Sequence, residues 1–188
     1  AFLHSATMGK AGVFLLIRLS PVLGGTTLWF NTVAGAGILT MLLGAVVALF
    51  RHDLKGLLAY STISHLGLIT LLLGLNGRLA AVAAVFHIIN HATFKASLFM
   101  AAGIIDHEAG TRDMRRLGNL RQYMPRTTLL AVIAALAMAG VPLLNGFLSK
   151  EMFFDQALHA GNSNVVRHWM TAAAVLAAML GVAYSLRF

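Results

Sequence analysis

Residues 32–50 read TVAGAGILTMLLGAVVALF, an apolar run with no charged side chain. About 20 such residues in an α-helix cross the hydrocarbon core of a bilayer. Five further runs in the chain have the same character. The predicted fold is therefore an all-α, polytopic transmembrane helix bundle of about six helices, at residues 1–19, 32–50, 56–75, 79–105, 128–158 and 169–188.

The composition of the whole chain also indicates a membrane protein. Of its 188 residues, 59% are hydrophobic and 11% are charged, and the mean hydropathy is +0.80. A soluble domain carries about 25% charged residues. The net charge of +8 is spread between apolar runs, which suits basic cytoplasmic loops and excludes nucleic acid as a partner. The absence of Cys excludes disulfides and thiolate chemistry.

The fifth apolar run is too long for one straight helix and contains a signal that interrupts it. Pro142 lacks a backbone N–H and clashes with the preceding helical turn. We therefore predict a helix that is broken around Pro142–Gly146, with a second half that begins near Ser149. Lys150 and Glu151 then lie close to a helix N-terminus within the membrane, and discontinuous helices mark ion sites in transporters.

Positive charge is divided unevenly between the two ends of the predicted helices. The second and fourth connectors share one side and hold seven Lys and Arg residues, whereas the other three connectors hold three. Because basic connectors favour the cytoplasm, we expect residues 51–55 and 106–126 to be cytoplasmic and the bilayer to be the cell membrane. Apolar residues between Met114 and Met124 recur at helical spacing, which fits either a short interfacial helix or a loop with apolar anchors.

Three titratable residues, His87, His91 and Lys95, recur every four positions in the fourth run. This spacing places them in one stripe on a helix face, and ionisable groups at membrane depth are costly and usually functional. Because His exchanges protons near neutral pH, the stripe predicts a proton relay that faces protein or water. One alternative is two hydrogen-bonded core histidines, with Lys95 snorkelling to an interface. Another is a metal site, which lacks a third ligand and would be repelled by Lys95.

Other titratable residues lie in or beside the apolar runs. A charge on Lys10, near the middle of the first run, costs at least about 2.5–3.5 kcal/mol, so it needs a carrier role, a counter-ion or a water-filled cavity. Lys150 and Glu151 are either buried groups of the broken helix or ordinary end charges, and the apolar residues after them favour burial. For Lys55, a cytoplasmic end charge is the simpler interpretation. The other titratable residues in or beside the apolar runs that we assign to the candidate site are His4 and His65.

The sequence contains no nucleophile elbow, Gly-rich phosphate loop or zinc-protease motif. It also contains no motif for a cofactor. We therefore expect neither an enzyme nor a cofactor.

Four motifs follow one another in a distinctive order. They are LHSATMGKAG at residues 3–12, DLKGLLAYSTISHLG at 53–67, NHATFKA at 90–96 and GFLSKE at 146–151. Together they resemble the antiporter-like membrane subunits shared by respiratory complex I and the multisubunit Mrp-type cation/proton antiporters. Within this family, Lys10 and the segments Gly110–Asp113 and Val141–Gly146 are most similar to the large A subunit of Mrp-type antiporters.

The resemblance implies an inverted repeat of two five-helix bundles, each with one broken helix. Residues 1–188 would form a single transmembrane region, an interior piece of a longer protein, with the last helix of the first bundle and most or all of the second. The family's proton path would run through His87, His91, Lys95 and Lys150, with His4 and Lys55 at further polar positions. We add the other titratable residues of the apolar runs to these family positions. The expected proton pathway then consists of Lys95, Lys150, His87, His91, Lys10, His4, Lys55, His65 and Glu151.

The expected function is proton conduction in a multisubunit antiporter that exchanges a monovalent cation for protons. We expect this cation to be Na⁺. The expected partners are the other membrane subunits, the transported ions and the lipid bilayer. One alternative is the proton-pumping antiporter-like subunit of NADH-quinone oxidoreductase (complex I), which would make the chain part of a translocase. The other is a purely structural bundle whose polar groups organise helix contacts.

Overall fold

The chain folds into a bundle of α-helices. A computed structural model describes residues 8–75, 77–160 and 164–188. After a 3-10 turn at Met8–Lys10, the helices are α1 (Ala11–Leu23), α2 (Thr27–Phe50), α3 (Leu54–Gly74), α4 (Arg78–Ala109), α5 (Leu120–Tyr123), α6 (Pro125–Ala139), α7 (Asn145–Leu158) and α8 (Asn164–Arg187). Among these described helices, α2, α3, α4 and α8 are long and apolar enough to cross a bilayer. The predicted all-α membrane bundle is confirmed.

The first two helices have boundaries that differ from the prediction. Pro21, expected in a connector, lies inside the last turn of α1, because a proline close to a helix end interrupts only one backbone hydrogen bond. α2 begins before residue 32, because the Thr26 side chain accepts a hydrogen bond from the Trp29 N–H at 3.2 Å and caps the helix. A π-helical stretch at Phe30–Ala34 follows this cap.

α4 extends beyond the predicted fourth span. Its 32 residues reach about 48 Å at 1.5 Å per residue, and it stops at Gly110, whose φ of 64° is left-handed. Asp106 is therefore helical, although we expected it in the fourth connector. Within the described connector only one helical turn, α5, is present. The segment is a loop whose apolar side chains pack against the core, namely Met114, Leu117, Leu120 and Met124.

The predicted break around Pro142–Gly146 separates α6 from α7. α6 ends at Ala139 and is followed by Gly140, whose φ of 84° is left-handed and suits glycine. The second half begins at Asn145 rather than near Ser149. Lys150 therefore lies in the second turn of α7. The positive end of the helix dipole acts within the first turn, so the expected position of Lys150 at the helix N-terminus is wrong.

α2 and α3 approach each other so closely that their contact requires glycine. A Cβ on Gly37 would lie 2.5 Å from the backbone nitrogen of Leu71, and a Cβ on Gly67 would lie 2.4 Å from that of Met41. A second glycine, seven residues further along each helix, makes the same approach. Small residues at such contacts let membrane helices pack backbone to backbone. The glycines thus fix the position of α3, which is the most buried of the four long helices.

The second and fourth connectors meet at one end of the bundle. The Leu54 N–H donates to the Arg112 carbonyl at 3.0 Å, and the Met114 N–H donates to the His52 carbonyl at 2.9 Å. The Arg112 guanidinium also lies 3.2 Å from the Asp53 carboxylate. These contacts place the two connectors on the same side of the bundle.

Candidate functional site

α4 carries three predicted residues of the site on one buried face. His87, His91 and Lys95 are 1%, 0% and 0% exposed. Their spacing of four residues gives the single stripe that the sequence predicts. Lys95 does not snorkel to an interface, because its whole side chain is enclosed by the bundle.

The Lys95 amine is held by oxygen atoms of α3. Its Nζ donates to the Leu58 carbonyl at 3.1 Å and also to the Ser61 hydroxyl. In the part of the chain that the structure describes, Lys95 has no ion pair with a carboxylate. Its proton is therefore held by neutral acceptors and not by a fixed counter-charge.

α3 contributes a third histidine, His65, to the same cluster. Its Nδ1 lies 3.0 Å from Nε2 of His87, and Nδ1 of His87 lies 3.1 Å from the hydroxyl of Ser149 on α7. On the other side of His65, the Tyr184 hydroxyl of α8 lies 3.3 Å from Nε2. Four helices therefore meet in one continuous row of hydrogen bonds.

Ser149 and Tyr184 belong to this row although the sequence analysis did not assign them to the site. They are 0% and 2% exposed. Neither hydroxyl carries a charge at neutral pH, so the rule that ionisable groups at membrane depth are functional does not identify Ser149 or Tyr184. The available signals are weaker: Ser149 lies next to Lys150 in the fourth motif, and a buried tyrosine usually has a hydrogen-bond partner.

His91 lies in the cluster without taking part in the row. Its ring centroid is 5.1 Å from that of His65 and 6.3 Å from that of His87. Among the described residues, neither of its ring nitrogens has a hydrogen-bond partner. Buried polar atoms are rarely left in this state. His91 is therefore held in the cluster by ring packing and not by a hydrogen bond to a described residue.

Lys150 binds to the end of the preceding half-helix. Its Nζ donates to the Ala139 carbonyl at 2.7 Å. Its aliphatic chain packs against Gly140, where an added Cβ would lie only 2.7 Å from Cδ of Lys150. Ala139 is the last residue of α6, and the C-terminal end of a helix dipole attracts a cation. The dipole beside Lys150 thus acts in the opposite sense to the predicted one.

A small cavity connects Lys150 with the row of hydrogen bonds. Its volume is about 20 Å³, and its lining includes Lys150, His65, Tyr184 and Gly181. A space of this size accommodates about one water molecule. Lys150 is therefore close to the histidines without touching them directly.

The other predicted residues lie at the edge of the cluster or outside it. Lys10 is 9% exposed and donates to a backbone carbonyl of α4 at 3.5 Å. Lys55 forms an ion pair of 2.5 Å with Asp106. Glu151 is exposed. His4 lies outside the described residues.

The arrangement suits proton exchange better than cation ligation. Within the described ranges, no group of three His, Asp or Glu side chains has an arrangement that could hold a metal ion. The buried nitrogen atoms instead form donor and acceptor pairs with each other and with hydroxyls.

Comparison with known families agrees with the resemblance that the motifs carry. The transmembrane family described as NADH:quinone oxidoreductase/Mrp antiporter matches residues 1–181. The chain belongs to this family. Membership in the NADH:quinone oxidoreductase/Mrp antiporter family confirms the assignment made from the four motifs.

Relatives in this family are named as components of antiporters. The chain is 66% identical, over its whole length, to a probable A/B subunit of a K⁺/H⁺ antiporter from Rhizobium meliloti (strain 1021), and covers 19% of that protein. It is 52% identical to the A subunit of the Na⁺/H⁺ antiporter from Alkalihalophilus pseudofirmus, over 87% of the chain and 22% of the relative. The chain therefore spans about a fifth of the length of these curated relatives.

Two solved structures of membrane complexes contain the same fold. The Mrp complex from Dietzia sp. DQ12-45-1b matches 99% of the chain and 21% of its own chain, with 46% identity and a TM-score of 0.94. The membrane-bound sulfane sulfur reductase, an archaeal respiratory complex, matches 99% of the chain and 38% of its own, with 31% identity and a TM-score of 0.89. The family fold thus occurs in both kinds of assembly.

Proposed function

We propose that this chain forms a proton-conducting part of a membrane subunit in a multisubunit monovalent cation/proton antiporter. The observation that carries the proposal is the 3.0 Å contact between Nδ1 of His65 and Nε2 of His87, inside a cluster that is closed to lipid. An imidazole can accept a proton on one nitrogen and release one from the other. Two rings in direct N–N contact can therefore pass a proton between them.

The lysines at the two ends of the cluster complete the path. Lys95 lies one helical turn beyond His91, and Lys150 lies across the small cavity from His65. Burying the amine of Lys95 fully and that of Lys150 partly is costly inside a membrane bundle, which favours a functional reason for their presence. Lys150 would exchange protons with one aqueous face, and Lys95 would pass them laterally through the histidines.

The other candidates have supporting roles in this proposal. Lys10 lies against the backbone of α4 beside the cluster, and the Lys55–Asp106 pair lies at the cytoplasmic end of α3 and α4. Glu151 is exposed next to Lys150 and offers a point of exchange with water. We assign His4 to the same pathway by the family resemblance alone.

An antiporter is the better supported of the two transport functions. The relatives named as antiporter components are 66% and 52% identical to the chain, whereas the respiratory complex is 31% identical. The names of the relatives differ in the cation, K⁺ in one and Na⁺ in the other. We propose a monovalent cation as the exchanged ion, and the test distinguishes Na⁺, the cation expected from the sequence, from K⁺.

The proposed setting is the cell membrane, with the other membrane subunits of the antiporter as partners. Connectors 51–55 and 106–126 would face the cytoplasm. Residues 1–188 would supply the last helix of one five-helix bundle and most or all of the next.

Proton flux in vesicles that contain the intact assembly tests the proposal. Adding Na⁺ or K⁺ to one side should drive protons across, and Lys95→Ala and Lys150→Ala should each lower this flux at least about tenfold, because each removes a group that carries protons. His87→Gln should do the same. Matched controls are Arg116→Ala and His107→Gln, since both side chains are exposed.

The same assay separates the alternatives. Full flux in Lys95→Ala and His87→Gln, with altered thermal stability, would support a purely structural bundle and contradict the proposal. Flux that depends on a quinone and a reductant, and not on a cation gradient, would support the complex I alternative.

A further inference from the structure

Tyr184 closes the row of hydrogen bonds on the α8 side. It is 2% exposed, and its hydroxyl oxygen lies 3.3 Å from Nε2 of His65, 119 positions away in the chain. It is neither a lysine nor a histidine, and the path proposed above does not include it. Its hydroxyl can donate a proton to His65 or accept one from it, depending on which ring nitrogen of His65 carries the proton.

The direction of the hydrogen bonds follows from the opposite end of the row. The Ser149 hydroxyl donates its single proton to the Gly146 carbonyl at 3.1 Å, so its oxygen accepts from Nδ1 of His87. An uncharged imidazole has one N–H, so Nε2 of His87 accepts from Nδ1 of His65. Nε2 of His65 is then an acceptor, and the Tyr184 hydroxyl lies 3.3 Å from it. The Tyr184 hydroxyl also has a hydrogen bond with Ser64, whose own proton goes to the Met41 carbonyl, and the NMR experiment below distinguishes the two partners of the tyrosine proton.

The same hydroxyl also faces Lys150. Both residues line the cavity of about 20 Å³. A Cβ placed on Gly181 would lie 3.6 Å from the Tyr184 oxygen and 3.9 Å from Nζ of Lys150. One glycine therefore borders both polar atoms, and the space beside it accommodates about one water molecule. Tyr184 therefore borders the same space as Lys150 and is in hydrogen-bond contact with His65.

We propose that Tyr184 is a hydroxyl relay that delivers protons from the Lys150 side to Nε2 of His65. The proposal rests on the proposed function, because it adds a residue to that path. In one transfer, the O–H bond of Tyr184 breaks as an N–H bond forms at Nε2 of His65. The tyrosine oxygen takes a new proton from the Lys150 ammonium through the cavity. His65 then releases its Nδ1 proton to Nε2 of His87. Lys150 ends as a neutral amine, Tyr184 and His65 end uncharged, and His87 ends as the imidazolium that carries the proton onward.

Nitrogen NMR on the intact assembly, labelled with ¹⁵N-histidine, tests this directly. In the unmodified protein, His65 should be protonated on Nδ1, and its Nε2 should show the shift of an unprotonated, hydrogen-bonded nitrogen. His65→Gln identifies the signals. Tyr184→Phe removes the oxygen and keeps the ring, so the Nε2 shift should move toward that of a nitrogen without a hydrogen bond. Cation-driven proton flux should fall at least about tenfold.

Tyr123→Phe is the matched control, because that tyrosine is 79% exposed, and it should change neither the spectrum nor the flux. A His65 that carries its proton on Nε2 in the unmodified protein overturns the relay, whether or not Tyr184→Phe assembles. So does full flux in Tyr184→Phe. If Lys95→Ala and His87→Gln abolish flux while Tyr184→Phe does not, only the relay fails. If all three keep full flux, the proposed function fails as well.

Discussion

Lys55 and Asp106, which are 51 positions apart in the chain, form an ion pair with 2.5 Å between Nζ and Oδ2. Lys55 lies in the first turn of α3, and Asp106 lies in the last turn of α4. The pair therefore joins, at one end, the two helices that bring His65 and His87 together. Their side chains are 33% and 30% exposed, which places the pair at the boundary of the bundle.

We expect this pair to hold the end of α4 closed against α3. Asp106→Asn should accelerate hydrogen exchange of the backbone amides in residues 103–109 about two- to fivefold, because a partly exposed ion pair contributes about 0.5–1 kcal/mol. Lys55→Ala should give a similar increase, and the double variant should exchange no faster than either single one. Additive effects would show that the two side chains act independently. Lys55→Arg, which keeps the charge, is the control.

A second prediction concerns the glycine contact between α2 and α3. Gly67→Ala would place a Cβ 2.4 Å from the backbone nitrogen of Met41, so one helix must move. Such overpacking typically costs about 1–3 kcal/mol, and we expect a lower unfolding temperature of the assembly and weaker proton flux, because His65 lies two residues away. Gly35→Ala on α2 is the control, since its Cβ meets nothing within 4 Å. Equal stability of the two variants would contradict the close contact.

The sequence predicts the four long spans α2, α3, α4 and α8 because apolar content over about 20 residues is a property of one segment. The first predicted span, 1–19, begins outside the described residues, and α1 has only 13 residues. The helix boundaries were less accurate, since they depend on single capping residues such as Thr26 and Gly110. The glycine contact was not predicted. Recognising it requires knowing which faces of two helices meet, and the spacing of Gly37 and Gly67 in their own segments does not contain that information.

The same distinction, between features of one segment and contacts between segments, holds for the candidate site. The stripe of His87, His91 and Lys95 was predicted because their spacing within one helix is local. The row through Tyr184 was not, because it depends on residues from four helices. The predicted dipole effect at Lys150 was wrong because it depended on where α7 begins and on which helix end the amine meets, which is the carbonyl of Ala139 at the C-terminal end of α6.

A third prediction follows from the fourth connector. The Arg115 guanidinium donates to both carboxylate oxygens of Asp113, at 3.0 and 2.8 Å, and this lowers the pKa of Asp113 from 3.8 to about 2. A carboxyl with a lowered pKa stabilises the folded connector fully above its ordinary pKa, and the effect is lost as the pH falls toward 2. Between pH 8 and 5, the contact between Asp113 and Arg115 should therefore not change.

Carbon NMR of the labelled Asp113 carboxyl measures this midpoint. We expect titration near pH 2, and a shift back toward the ordinary value in Arg115→Gln, which removes the donor charge. A midpoint near 4 in the unmodified protein would show that the Arg115 contact does not persist in solution.

A fourth prediction tests the orientation of the chain. The sequence contains no Cys, so a single introduced thiol in an otherwise Cys-free subunit reports only its own position. In Arg116→Cys, a reagent that cannot cross the membrane should react from the cytoplasmic side. In His159→Cys it should react from the opposite side, because one broken span lies between the two residues. The reversed pattern would overturn the assignment of residues 51–55 and 106–126 to the cytoplasm.

The last prediction concerns Gly181, which borders both the Tyr184 hydroxyl and the Lys150 amine. A Cβ there would lie 3.6 Å from one and 3.9 Å from the other, which is ordinary contact, so Gly181→Ala fits without displacing the backbone. Alanine in a helix is also favoured over glycine by about 1 kcal/mol, so the variant should be at least as stable. Its methyl group occupies the cavity through which Lys150 reaches Tyr184, and we expect cation-driven proton flux to fall about tenfold.

Gly103→Ala on α4 separates this effect from helix propensity, because its Cβ meets nothing within 4 Å. Both variants gain the same backbone preference for the helix, and only Gly181→Ala fills the cavity. We therefore expect similar unfolding temperatures and different fluxes in the vesicle assay. Equal flux in the two variants would mean that protons do not pass between Lys150 and Tyr184 through this cavity. A larger residue, as in Gly181→Val, should lower the flux further if the cavity is the route.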